Sequence, residues 1–191
     1  MLLRRFVVYA LTTVFALLPA LGHAEMSAKE KDKERAEIRK NVKTTLNKLY
    51  KVQPSSKKLI ADAAGYAVIN NFGVKILVAG SGTGKGIAFD KSGKETFMKM
   101  LELQAGLGMG AKKFSLIWVF RDADKFQKFA SGSVETSAQA NATAKVDNKG
   151  GAYAGAVAVA DGVWLYQLQG DGLALEITAK GSKYSRYDEL N

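Results

Sequence analysis

The sequence predicts an α+β fold in which N-terminal amphipathic helices pack on an antiparallel, glycine-rich sheet or partial barrel. Three observations predict it: apolar residues recur at helical spacing between Ser27 and Lys51, the pattern changes to period two after Gly65, and glycines of one parity punctuate the period-two region.

The chain begins with Arg4 and Arg5, an apolar run of about 13 residues from Phe6 to Leu18, then Pro19 and the small-residue site Gly22-His23-Ala24. These are the three zones of a secretion signal. Cleavage is expected at about Ala24, which makes the protein periplasmic or secreted. The run is shorter than the roughly 20 residues a permanent membrane helix needs. Residues 25–191 then form one expected domain: a basic helical segment over 27–64, a mostly β body over 65–179 and a polar tail over 180–191.

Within the helical segment, Ile38, Val42, Leu46 and Leu49 define an apolar stripe on a long helix. Pro54 is expected to end it, and Ser55 or Ser56 to cap a shorter helix carrying Leu59, Ile60 and Ala63. Four strands are expected next, over Val74–Ala79, Gly86–Phe89, Thr96–Gly110 and Phe114–Phe120. Asp122 caps a short helix with Phe126, Phe129 and Ala130 on one face, closing near Gly132.

Residues 133–146 alternate polar and apolar almost without interruption, from Ser133 and Val134 to Lys145 and Val146. An alanine-rich helix is the rival, but polar residues at strict spacing of two would surround a helix, so the segment reads as a half-exposed strand. A meander follows, with strands over Tyr153–Ala160, Val163–Gln169 and Leu173–Ala179 and turns at Asp161-Gly162 and Gly170–Gly172.

With the leader removed, 26 basic residues face 18 acidic ones. That excess favours anionic partners, and outside the cytoplasm the abundant ones are anionic phospholipid and envelope polymers. Nucleic acid is not expected, because no reading motif is present. The single histidine, His23, lies in the leader and the chain has no cysteine. A histidine base, a thiol nucleophile, a Ser-His-Asp triad and a His- or Cys-ligated metal are therefore excluded from the mature chain, and no enzyme activity, cofactor or metal is expected.

The basic side chains Arg39, Lys40, Lys43, Lys48, Lys51, Lys57, Lys58, Lys85, Lys112 and Lys113 are the candidate contacts to an anionic lipid surface. From Arg39 to Lys58 the sequence holds no acidic residue. Gly80, Gly82, Gly84 and Gly86, with Gly106, Gly108 and Gly110, leave strand faces bare. Either a helix packs tightly there on the smooth sheet, or the bare face forms a lipid-lined slot. A phosphate loop is rejected, since Gly86 follows Lys85 where a metal-holding Ser or Thr is required. The dinucleotide pattern fails as well, because no glycine stands three residues beyond either Gly-x-Gly.

The stretch Ala64-Gly65-Tyr66-Ala67-Val68-Ile69, the glycine run Gly80 to Gly86, Leu107-Gly108-Met109-Gly110-Ala111, Trp118-Val119-Phe120 and the hairpin around Asp161-Gly162-Val163 together resemble the SYLF domain. That is the lipid-binding family whose fungal members are called Ysc-type actin-binding proteins. The likeness runs from about Ala36 to Thr178. It implies phospholipid binding aided by a basic amphipathic N-terminal helix, with phosphoinositides the ligands of eukaryotic members, and no enzymatic activity. Asn70-Asn71-Phe72 replaces the Phe-Pro pair common after the first motif, and Tyr166–Gly170 replaces a Ser-Leu-Glu-Gly signature, so head-group preference is expected to differ. Actin binding belongs to eukaryotic members and is not expected of an exported chain. An envelope protein partner is the alternative to lipid.

Overall fold

The computed structural model describes residues 25–76, 79–105, 110–132, 134–136, 145–146, 155–170, 172–173 and 181–191. Helix α1 spans Ala28–Val52, α2 Ser56–Asp62 and α3 Ala123–Ala130. The strands are β1 (Gly65–Ile76), β2 (Ala79–Asp90), β3 (Glu95–Ala105), β4 (Gly110–Phe120), β5 (Val134–Thr136), β6 (Lys145–Val146), β7 (Val157–Ala160), β8 (Val163–Gln169), β9 (Gly172–Leu173) and β10 (Ser182–Arg186). The fold is α+β, with the first two helices preceding an antiparallel sheet.

Helix α1 starts on a capping box. The Ser27 hydroxyl accepts from the Glu30 N–H, and the Glu30 carboxylate accepts from the Ser27 N–H at 2.8 Å. Neither Ser55 nor Ser56 caps α2 in the expected way. Ser55 makes no capping bond, and the buried Ser56 hydroxyl donates back to the Gln53 carbonyl at 2.6 Å. Asp122 does cap α3, accepting from the Asp124 and Lys125 N–H groups, and Gly132 closes it with a φ of +79°.

One ten-stranded sheet runs β5-β10-β3-β2-β1-β4-β8-β7-β6, with β9 paired to β8. Its connectivity forces it to curl. Laid flat, the eight spacings along this path would separate the edges by about 38 Å. The nine peptide steps from Thr136 to Lys145 join those edges and reach at most about 32 Å.

Alternate residues of each strand build two cores, one on each face. On the first face Val68, Ile87, Phe97, Ile117, Val119 and Tyr166 meet Ile38, Val42 and Leu49 of α1 and Leu59 and Ile60 of α2. On the second, Ile69, Met98, Met100, Leu116 and Leu165 meet Phe126 and Phe129 of α3. Trp118 packs there edge-on against Tyr184, with ring centroids 5.5 Å apart.

Several strand expectations are corrected. The first strand begins at Gly65, not Val74: Asn70 and Asn71 sit mid-strand, where the Asn70 side-chain oxygen accepts from the Thr45 hydroxyl and the Asn71 amide donates to Glu102. The expected strand over Thr96–Gly110 is two: β3 ends at Ala105, and Gly110 opens β4. The ends of the alternating segment, β5 and β6, pair at opposite edges of the sheet, with β10 and β7, and residues 137–144 lie outside the described ones. The polar tail is part of the sheet and the core. Strand β10 is held between β3 and β5, Tyr184 and Leu190 are buried, and the Asn191 side chain accepts from the Phe97 N–H at 2.8 Å and donates to its carbonyl at 3.0 Å. Its residues read as polar because their apolar members, Tyr184, Tyr187 and Leu190, are spread at alternate and turn positions. The described part of β7 is Val157–Ala160, shorter than the expected Tyr153–Ala160, while β8 and the Asp161-Gly162 turn, with Gly162 at a φ of +70°, stand as read.

Candidate functional site

Two surfaces meet along α1. The first is its outward side. At 100° per residue, Lys29, Lys33, Lys40, Lys43 and Lys51 fall within about 80° of one another, diametrically opposite the buried Ile38, Val42, Thr45 and Leu49. All five lysines are exposed, and none has a charged partner among the described residues. Carboxylates flank this stripe and do not interrupt it, since Asp32 and Glu37 lie to either side. The stripe runs about 33 Å along the helix.

The second surface is a cleft of about 630 Å³ on the flank of α1, between the helix and the sheet. Glu34, Glu37, Asn41, Thr44 and Lys48 supply its helical wall. The sheet supplies Thr83 and Lys85 from β2, Phe72 from β1, and Lys113 and Ser115 from β4. At its floor the Asn70 side-chain Oδ1 accepts from the Thr45 and Ser115 hydroxyls, each at 2.7 Å, which ties α1 to β1 and β4.

The candidate lipid contacts divide accordingly. Lys40, Lys43 and Lys51 belong to the outward stripe. Lys57 is exposed beyond it on α2, and Lys58 pairs with Asp62 at 2.7 Å. Lys48 and Lys113 line the cleft, with the Lys113 ammonium 5.5 Å from the Phe72 ring centre. Arg39 is engaged within the fold. Its guanidinium bonds Glu95 at 2.8 and 2.9 Å and lies 5.2 Å over the Phe97 ring. The Glu95 hydrogen bond raises the Arg39 pKa above its ordinary value. Lys85 is held likewise, 2.6 Å from Glu34, and that bond raises its pKa. The acid-free stretch from Arg39 to Lys58 therefore meets acid from β3, which spacing along the chain does not show. The side chain of Lys112 lies outside the described residues.

Among the described residues, the glycine face of β2 does not form a slot. Added side chains at Gly82 and Gly86 would collide with buried atoms: a Cβ on Gly82 falls 2.7 Å from the Glu102 carboxylate, and one on Gly86 falls 1.8 Å from the Val68 carbonyl oxygen. Side chains and backbone of β1 and β3 occupy the space, so on β2 the glycines make room for neighbouring strands, not for the expected helix. Gly84 meets Ile69 and Met100 in the same way. Gly80 is half-buried, Gly110 opens β4, and Gly106 and Gly108 lie outside the described residues.

Sequence reasoning missed the polar pair behind those glycines. Glu102 is fully buried in the curl of the sheet, and the Asn71 amide donates to it at 2.6 Å. It also missed the shelf of exposed apolar side chains beside the cleft, Phe72, Leu101 and Leu103. Among the described residues, no cluster of acidic or histidine side chains could hold a metal ion, and no helix is long and apolar enough to cross a membrane.

Fold and surface thus define a curled antiparallel sheet carrying a basic amphipathic helix. No family model matches the chain. It is 31% identical, over 144 residues, to a protein named Beta cell expansion factor A from Aeromonas veronii. The match takes in 74% of this chain and 52% of that protein, so the chain spans about half its relative's length.

Proposed function

We propose that this is an exported, non-enzymatic protein of the SYLF family that binds phospholipid or an anionic membrane surface through α1. The observation that carries the reading is the outward lysine stripe: five exposed ammonium groups on one side of a helix whose other side is anchored in the core. Each such group close to an anionic bilayer contributes on the order of 1 kcal/mol, so three or four engaged together give firm, salt-sensitive adsorption. The likeness of the glycine-rich motifs to the SYLF domain supports the same class of ligand. The leader-like segment before Glu25 supports the periplasm or the exterior as the compartment.

Vesicle flotation tests the proposal. The protein should float with anionic vesicles at low salt, be released at high salt, and ignore neutral vesicles. Changing Lys40, Lys43 and Lys51 together to Glu should abolish flotation. Unchanged flotation of that variant overturns the placement. No flotation under any condition overturns the lipid reading and leaves an envelope protein as the partner to seek.

A further inference from the structure

We infer that the cleft beside α1 binds an uncharged, extended oligosaccharide, of the kind that β-1,4 linkages give. This adds a second ligand at a second surface and does not rest on the lipid reading.

Strand register builds the floor. Lys85 on β2, Asn70 on β1 and Ser115 on β4 are opposite one another, and so, two residues along, are Thr83, Phe72 and Lys113. Both ranks lie on the face that α1 covers, since the Asn70 side chain is bonded by Thr45 of that helix. The rank on their other side, Ile87, Val68 and Ile117, belongs to the core. The floor thus passes from apolar core to a polar rank, and then to one with an aromatic ring at its centre, about 10 Å across from Thr83 to Lys113. Phe72 is 47% exposed there, and the Lys113 ammonium lies 5.5 Å from the ring centre.

The wall is helical. Glu34, Glu37, Asn41, Thr44 and Lys48 recur at alternating steps of three and four, which makes a polar strip about 21 Å long on α1. The Glu34–Lys85 bond of 2.6 Å and the Thr45–Asn70 bond join wall to floor, so the groove is formed before any ligand arrives.

The cleft volume of about 630 Å³ lies within the range of small-molecule sites. Its charges cancel: Glu34 is bonded to Lys85, Glu37 and Lys113 are of opposite sign, and Lys48 has a partner of its own. A phosphate or carboxylate entering it would meet carboxylates on the helical wall. What the groove offers instead is neutral hydrogen bonding and one ring. Glu37, Asn41 and Thr83 are exposed, and no hydrogen bond among the described residues occupies their side chains. A carboxylate accepts, while an amide and a hydroxyl both donate and accept, which is the mixture that sugar hydroxyls require. A pyranose ring also has a face of C–H groups, and the negative face of an aromatic ring such as Phe72 receives it. Chains with equatorial linkages extend along such a groove, whereas α-1,4 chains coil out of it.

The groove is also separate from the lysine stripe. Its helical wall, from Glu34 to Lys48, is centred about a quarter turn around α1 from the centre of the stripe, so the two surfaces can be altered independently.

Calorimetric titration of the protein with cellotetraose and with tetra-N-acetylchitotetraose tests this, with maltotetraose as the coiled comparison. We expect saturable one-to-one binding of at least one extended sugar, about tenfold or more tighter than maltotetraose and equal at low and high salt. Phe72→Ala, which removes the ring from an exposed position, should weaken it by about tenfold, and Asn41→Ala by about threefold to tenfold. Thermal melts of both variants should stay close to the parent. The Lys40→Glu/Lys43→Glu/Lys51→Glu variant should keep sugar binding while losing vesicle flotation. The inference is overturned if neither extended sugar binds, if maltotetraose binds as well, if binding falls steeply with salt, or if both groove variants bind like the parent. Flotation that persists in any of those cases leaves the lipid reading standing, and sugar binding without flotation removes the lipid reading alone.

Discussion

The Asn71 side-chain amide donates a 2.6 Å hydrogen bond to the Glu102 carboxylate inside the curl of the sheet, where neither residue is more than 4% exposed. A carboxylate removed from water is costly unless it is bonded, so Asn71 is a structural requirement of β3 and Gly82 is a requirement of both. Gly82→Ala would drive a methyl group to 2.7 Å from Glu102 and 3.0 Å from Asn71. It should destabilise the protein by about 1–3 kcal/mol. Asn71→Ala, which takes a donor from a buried acid, should cost a similar amount, about 1–3 kcal/mol. Thermal melts should show both drops, and an unshifted midpoint for Gly82→Ala would mean that the pair is not packed against β2.

The same residues show where the sequence was legible. Helix α1 and its end before Pro54 could be read because a surface helix repeats one signal over many turns, and Ile38, Val42 and Leu49 are buried as that signal requires. Strand β3 could not. Around Lys99-Met100-Leu101-Glu102-Leu103 both parities carry apolar residues, and placing Leu101 and Leu103 inside would send Glu102 to solvent. The structure does the reverse, burying Met98, Met100 and Glu102 and exposing both leucines. Period two gives the alternation but not which phase faces the core when a polar partner, Asn71, comes from 31 residues away. The lysines were legible as a basic helix. Their division into stripe, cleft and internal ion pairs was not, because Glu95 and Glu34 approach Arg39 and Lys85 only in the fold.

Arg39 and Lys40 are neighbours in sequence and should behave differently. The Arg39–Glu95 pair is partly exposed, at 50 and 30% of the side chains, so Arg39→Gln should cost less than about 1 kcal/mol. It should also leave flotation with anionic vesicles nearly unchanged. Replacing Lys40, Lys43 and Lys51 by Gln should leave the melt unchanged but remove about 3 kcal/mol of surface attraction, on the order of a hundredfold in partitioning at low salt. Equal effects from the two variants would show that the ion pair opens at the membrane.

Acid should loosen the fold through exposed carboxylates that bond backbone or hydroxyl groups. The Lys125 N–H, with that of Asp124, holds the Asp122 carboxyl below its ordinary range, and the Ser92 hydroxyl, with the Lys94 N–H, does the same for Asp90. A depressed native pKa contributes stability above the unfolded value, near pH 4, and that contribution is lost as pH falls through the native value. Melting midpoints should hold on acidification to about pH 5 and fall below about pH 4. Asp122→Asn keeps a capping acceptor that does not titrate, so its melt should match the parent at neutral pH and fall less in acid. An identical acid profile would place the loss elsewhere.

The C-terminus should be indispensable, against its appearance as a polar tail. Leu190 is buried beneath α1, and its carbonyl accepts from the Arg35 guanidinium at 2.9 Å, so the chain end ties the helix to the sheet. Asn191 then bridges the Phe97 N–H and carbonyl, and its amide donates to the Tyr187 carbonyl at 3.0 Å. Leu190→Ala should cost about 2–5 kcal/mol, as expected for a buried leucine. Removing residues 181–191 takes β10 from between β3 and β5 and leaves the Trp118 face without Tyr184. The truncated protein should lose its cooperative melt. A sharp transition within a few degrees of the parent would instead mean that the remaining strands close the sheet without β10, and that the terminal segment is an addition to a core already complete.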